Sequence, residues 1–178
     1  VLEISGPSAL KHIPDKLFNH TPHLRSINLS FLEIASLPLS LYDLKGLVWL
    51  ILRGCSDLQE VRSLKMLDKL EVLDLSGARS LKTIQDKCLY SNQELRILNL
   101  SESQITSLPM LRDLKKLTHL LLRDCTNLER LRKITALSNL QILDLSGSTN
   151  FKEFVDPSFE KLASLKVLDV SQTAVDKL

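Results

Sequence analysis

One pattern recurs along this chain and leaves few folds open to it. Leucine or a close relative fills the first, fourth and sixth places of a short segment, and the segment restarts every 22 to 25 residues. The matches are LRSINL at 24–29, LVWLIL at 47–52, LEVLDL at 70–75, LRILNL at 95–100, LTHLLL at 117–122, LQILDL at 140–145 and LKVLDV at 165–170, with a partial unit entering at Leu2. Neither a continuous helix nor an ordinary alternating strand has such a period. A tandem unit of this length reads as a solenoid.

A second period lies above the first. LILRGCSDLQEV (50–61) resembles LLLRDCTNLERL (120–131), and LDLSGARSLKTI (73–84) resembles LDLSGSTNFKEF (143–154), so a block of three units is repeated about 70 residues on.

Side-chain direction gives the physics of one unit. In an extended segment alternate side chains face opposite ways, so places four and six turn to one side and places three, five and seven to the other. The leucines are expected inside, with Leu122 and Leu145 buried, and the variable residues outside. Further along each unit, Leu128 and Leu131, or Ile34 and Leu37, bend the chain back over the same core. The stretches LRDLKKL (111–117) and FEKLASL (159–165) have helical apolar spacing but are only about two turns long, too short to be helices alone, and are expected to close the coil on its outer face. Because a single coil leaves both flat sides apolar, stability must come from stacking neighbours.

This is the leucine-rich repeat pattern, and it covers residues 1–178 as one domain. The resemblance implies an α/β solenoid curved like a horseshoe, with a parallel β-sheet on the concave face, short helices, 3₁₀ turns and loops on the convex face, and about eight repeats. One family position departs from the usual asparagine: the ninth place reads Pro7, Leu32, Cys55, Ala78, Ser103, Cys125, Ser148 and Thr173. Proline, leucine and alanine side chains cannot donate a hydrogen bond there, which predicts looser turns around Leu32 and Ala78.

Within the fold, the variable unit length, the elements Ile13-Pro14, Leu37-Pro38 and Leu108-Pro109, the consensus-like IASLPLSLYDLKGL (34–47), LRGCSDLQEV, LRDCTNLERL and a repeated LDLSG together resemble the repeat domain of plant intracellular nucleotide-binding disease-resistance proteins. The NxLxGxIP signature of plant cell-surface receptors is missing. The resemblance implies a cytoplasmic sensor whose repeats contact pathogen proteins and hold a switch domain inactive. Both ends of the chain fall inside repeats, so it is expected to be a segment of a larger multidomain protein.

Charge and motif content narrow the chemistry. With 23 basic and 21 acidic residues scattered along the chain, a net charge of +2 gives no bulk attraction to nucleic acid or anionic lipid. No apolar run approaches a membrane span, and there is no signal-peptide pattern. No glycine-rich phosphate loop, HExxH, GxSxG or paired CxxC occurs, so no catalytic, cofactor or metal site is expected and no small-molecule ligand either. His20 and His23 are separated by Pro22, which breaks any helix that would align them as metal ligands. Cys55 and Cys125 hold the same repeat position three units apart, about 14 Å at ~4.8 Å per strand, too far for a disulfide. With Cys88 in an outer segment, a reducing, intracellular setting is the better reading. Asn19, Asn28 and Asn99 match the glycosylation sequon, but Asn28 and Asn99 fall on strands, and all three read as chance matches.

What remains is an exposed surface that can be mapped column by column. The unit at 47 sets Trp49, Ile51 and Arg53 on one line across the concave face, beside Asp74 and Phe31. Its copy sets His119, Leu121 and Arg123 likewise, beside Asp144, Asp124 and Glu102. Tryptophan and arginine are the commonest energetic anchors of protein interfaces, so the expected partner is a protein and Phe31, Trp49, Ile51, Arg53, Asp74, His119, Leu121 and Arg123 are its expected contacts. The plainer alternative is that the third-place aliphatics pack on their strand neighbours and the arginines pair with Asp74 and Asp144. The functional reading is a recognition and autoregulatory domain of a plant immune receptor. The rivals are a cytoplasmic signalling scaffold and the substrate-selecting module of an enzyme whose catalytic domain lies elsewhere.

Overall fold

The computed structural model describes residues 1–6, 10–155 and 161–177. Each leucine-bearing segment forms one short strand: β1 Leu2–Glu3, β2 Ser26–Asn28, β3 Trp49–Ile51, β4 Val72–Asp74, β5 Ile97–Asn99, β6 His119–Leu121, β8 Ile142–Asp144 and β10 Val167–Asp169. They make one eight-stranded parallel sheet in chain order. Neighbours pair without slippage, so Ser26, Trp49, Val72, Ile97, His119, Ile142 and Val167 line up in one column. Asn28, Ile51, Asp74, Asn99, Leu121, Asp144 and Asp169 make the next. A one-residue slip would turn every leucine outward, and it is burial that pins the register.

The core is a ladder of aliphatic side chains one coil deep. Leu50, Leu52, Leu98, Leu100, Leu120, Leu122, Leu143 and Leu145 are all fully buried, and Leu58, Leu81 and Leu128 close the coil from the far side. The outer arcs are a chain of turns rather than helices. Over 111–117 the Leu114 N–H donates to the Leu111 carbonyl at 3.0 Å and the Leu117 N–H to that of Leu114 at 3.1 Å. A spacing of three brings Leu111, Leu114 and Leu117 all inward without any α-helix forming. Two short 3₁₀ helices lie wholly within the described residues, Leu39–Asp43 and Ile134–Ala136. Pro38, extended at φ −65°, starts the first of them. Of the stretch 159–165, Phe159 and Glu160 lie outside the described residues. A small second sheet, β7 Arg130–Leu131 with β9 Glu153–Phe154, joins two outer arcs. Beside it Phe151 and Phe154 meet edge to face at 4.9 Å.

The expectation of a loose turn at Ala78 is overturned. The Ala78 N–H donates to the Leu75 carbonyl at 3.2 Å, Leu81 to Ala78 at 3.0 Å and Gly77 to Ser101 at 2.8 Å, so backbone hydrogen bonds close the turn without a side-chain donor. At Leu32 the side chain is buried and the preceding Phe31 N–H is held by the Arg53 carbonyl at 2.7 Å. Pro7 lies outside the described residues. Where the ninth place can donate, it does. Cys55 Sγ donates to the Leu29 carbonyl at 3.1 Å and Cys125 Sγ to that of Leu100 at 3.2 Å. Ser148 Oγ donates to Leu122 at 2.7 Å while accepting from the Cys125 N–H at 3.0 Å. These bonds tie one coil to its neighbour, whereas Ser103 and Thr173 donate within their own coil, to the Leu100 and Val170 carbonyls. Asn92, fully buried, also ties neighbouring coils on the outer side, its amide donating to the Leu64 and Leu67 carbonyls at 3.1 and 2.7 Å.

Candidate functional site

The sheet's concave face carries the eight residues expected as contacts, and none of them is buried. Trp49 is 47 % exposed and Phe31 50 % exposed, each far more than a packing role requires. Arg53 and Arg123 are exposed, and Ile51, Asp74, His119 and Leu121 are half-buried. Their alignment follows from the register. β3 sets Trp49 and Ile51 two residues apart on the same side, and Arg53 continues the line past the strand end. β6 repeats this with His119, Leu121 and Arg123.

The fifth column has a second task that the sequence did not reveal. Asp74 Oδ1 accepts the Ser76 N–H at 2.9 Å, Asp144 the Ser146 N–H at 2.9 Å, Asp169 the Ser171 N–H at 2.9 Å, and Asn28 and Asn99 the N–H groups of Ser30 and Ser101 at 3.1 Å. An acceptor two residues before serine thus caps the strand end, which is the physical content of LDLS and LNLS. It occupies the oxygens of Asn28 and Asn99, whose sequons stand on strands and not on loop tips. Hydrogen bonds from Ser171 also hold the Asp169 carboxyl below its usual range. Units 47 and 117 lack the acceptor, with Ile51 and Leu121 in its place, and these are the two units that carry arginine at the seventh place.

The two arginines differ. Arg123 donates from Nε to Ser146 Oγ at 3.1 Å and from its terminal nitrogen to Asp144 at 3.4 Å, so there the plainer alternative describes the geometry. Arg53 makes no ion pair or side-chain hydrogen bond among the described residues, although Asp74 holds the place equivalent to Asp144. His119 is likewise engaged, its Nδ1 lying 2.8 Å from Thr118 Oγ1.

The eighth place has a backbone conformation that pattern reading did not foresee. Gly6, Phe31, Gly54, Gly77, Glu102, Asp124, Gly147 and Gln172 all have positive φ. Glycine is at ease there, whereas phenylalanine is not. The only sequence signal was the glycine at 6, 54, 77 and 147.

Among the described residues no cluster of histidine, cysteine and carboxylate side chains could hold a metal ion, and no helix is long and apolar enough to cross a membrane. Cys55, Cys88 and Cys125 are free and buried. Burial pushes the Cys88 and Cys125 thiols up to about 11 and raises Cys55 as well, which removes them from nucleophilic chemistry near neutral pH. The surface charges pair across adjacent coils, as Glu94 with Lys116 at 2.6 Å and Arg130 with Glu153 at 3.1 Å. The hydrogen bond from Lys116 holds the exposed Glu94 carboxyl below its usual range.

A curved parallel sheet backed by leucine ladders, presenting variable columns on its open face, makes this a leucine-rich repeat solenoid, and the leucine rich repeat family profile matches residues 68–128. Among plant proteins the chain is similar to a probable disease resistance protein of Arabidopsis thaliana, 42 % identical over 99 % of this chain. The chain spans only 16 % of that relative's length. Solved structures share the fold. The leucine-rich repeat domain of the type III effector XopL superposes with a TM-score of 0.59 at 23 % identity, covering 92 % of this chain and 66 % of that one. The Arabidopsis receptor kinase HAESA, solved in complex with the peptide hormone IDA and the co-receptor SERK1, superposes with a TM-score of 0.55 at 23 % identity, covering 81 % of this chain and 28 % of that one.

Proposed function

We propose that this chain is the recognition and autoregulatory part of a plant intracellular immune receptor, binding pathogen effectors or other domains of the same receptor through its concave face. The observation that carries the proposal is the line Trp49, Ile51 and Arg53: a half-exposed tryptophan, an aliphatic side chain and an unpaired arginine on consecutive places of one strand line. A large apolar ring beside an uncommitted charge is the composition of an interface anchor. The name of the Arabidopsis relative supports the immune setting. The receptor kinase solved with a peptide and a co-receptor supports peptide and protein partners for a solenoid of this shape. Three buried free thiols suit a reducing compartment, and we place the protein in the cytoplasm. The repeats carry no catalytic role in this proposal, and cofactors, nucleic acid and membranes have no part in it.

The test is a binding screen of the chain against secreted pathogen proteins and against nucleotide-binding domains of disease resistance proteins. A hit that belongs to this surface loses affinity in Trp49→Ala/Arg53→Ala and keeps it in Met66→Ala/Tyr90→Ala, a pair exposed away from the strands. Hits that ignore the first pair and depend on the second would move the site to the outer arc and overturn the proposal.

A further inference from the structure

Where the concave face meets the turns that follow the strands, a shallow depression of about 300 Å³ is lined by Phe31, Arg53, Gly54, Gly77, Arg79 and Glu102, with Ser56 and Ser76 at its edges. Its floor is bare backbone. Gly54 and Gly77 have φ of +69° and +72°, and a Cβ added at Gly77 would lie 3.1 Å from the Gly54 Cα. Phe31 forms one wall with its ring laid against Gly54, where any side chain would overlap it. Arg79 and Glu102, paired at 3.1 Å, form the opposite wall and neutralise one another. The charge left over is that of Arg53, so the depression is net positive, aromatic on one side and open at the bottom.

The three-unit duplication supplies an internal control. The equivalent place in the second block puts Glu102 where the first has Phe31, Asp124 where it has Gly54 and Gly147 where it has Gly77. There the Asp124 carboxylate covers Gly147, and Arg123 is held by Asp144 and Ser146. One backbone therefore carries two versions of the same hollow: one filled by its own carboxylate with its arginine engaged, the other vacant with its arginine free. Phe31 also occupies a left-handed conformation at φ 63° with half its surface in water, a placement that packing does not reward.

We infer that this hollow is a docking site for an extended acidic segment of a protein partner. The segment places an Asp or Glu carboxylate on the Arg53 guanidinium and an adjacent apolar side chain against the Phe31 ring over the glycine floor. The inference rests on the reading of the concave face as a protein-binding surface and specifies the chemistry of its partner.

The experiment pans displayed random linear peptides on the full chain and measures affinities of a synthesised, enriched peptide by fluorescence anisotropy. The expected peptides pair an acidic residue with an apolar neighbour. Losing a charge-assisted hydrogen bond costs on the order of tenfold or more in affinity. Arg53→Ala should show that loss, as should Phe31→Glu/Gly54→Asp, which installs the pair that the chain already folds with at 102 and 124. Met66→Ala/Tyr90→Ala, exposed away from the strands, should bind as well as the wild type, and unchanged urea midpoints show that each variant is folded. Peptides without acidic residues, or binding indifferent to Arg53 yet lost in Trp49→Ala, would overturn the docking site and leave the concave-face reading standing. No enrichment, or binding indifferent to both Arg53 and Trp49, would overturn both.

Discussion

Leu120 and Leu121 are adjacent, identical and on opposite faces of β6, which makes them a matched pair for the inside–outside assignment. Leu120 is 0 % exposed and has a coil on either side; Leu121 is half-buried on the concave face. Truncating Leu120 to alanine removes three carbon groups, worth about 2.4 kcal/mol at ~0.8 kcal/mol per buried CH₂. The coils above and below are tied by backbone ladders and cannot close over the gap, so the cavity raises the cost to about 3–4 kcal/mol, within the usual range of roughly 2–5. Leu121→Ala loses only the buried part of the same side chain and should cost less than about 1 kcal/mol. In urea, with a slope of about 2–3 kcal/mol per molar, Leu120→Ala should lower the midpoint by roughly 1–2 M and Leu121→Ala by a few tenths. Equal shifts for the two, or a shift near zero for Leu120, would refute the argument that the first, fourth and sixth places make the core.

Other expectations follow from single contacts. Asn92→Leu should destabilise the chain by about 1 kcal/mol in urea titration, since the Leu64 and Leu67 carbonyls would each lose the Asn92 donor and keep only the turn bond from the Leu67 or Leu70 N–H. Asp74→Ala should cost about 1 kcal/mol, whereas Asp74→Asn should cost little because asparagine performs the same cap at 28 and 99. A thiol reagent at pH 8 should leave Cys55, Cys88 and Cys125 unmodified in the folded chain and modify all three in denaturant, as their burial requires. Burial also makes stability fall in alkali. The folded thiols of Cys88 and Cys125 hold their protons to about 11. Unfolded thiols release theirs near ~8.5, so the stabilisation is complete below about that pH and is lost as pH rises toward the folded value. Thermal melts across that range should show the decline, and Cys88→Ala/Cys125→Ala should flatten it.

The strands, their register and the core were legible in the sequence because burial admits only one spacing. A leucine at place four or six that turned outward would expose its whole side chain, so LVWLIL or LTHLLL states its geometry directly. The concave columns follow from the same rule. Bonds between residues about 23 apart were not legible. Ala78 keeps a regular turn because Gly77 reaches across to the Ser101 carbonyl, Arg130 and Glu153 meet in a second small sheet, and Asn92 holds two carbonyls of the preceding coil. Asp74 stood out as a possible contact residue, but nothing within its own unit showed that it also caps the strand. Phe31, Glu102 and Gln172 have backbone conformations that glycine usually marks, and no local pattern announced them. The difference between Arg53 and Arg123 was equally invisible, since both stand beside an aspartate in the next coil and only one is paired.

Trp49 is the chain's single tryptophan, so its fluorescence reports one point on the concave face without ambiguity. Acrylamide quenching should be efficient in the free chain, where the ring is about half exposed, and should fall sharply when an Arg53-dependent peptide or protein is bound. Weak quenching in the free chain would mean that the ring faces the interior, and quenching unchanged in the complex would mean that partners meet some other surface.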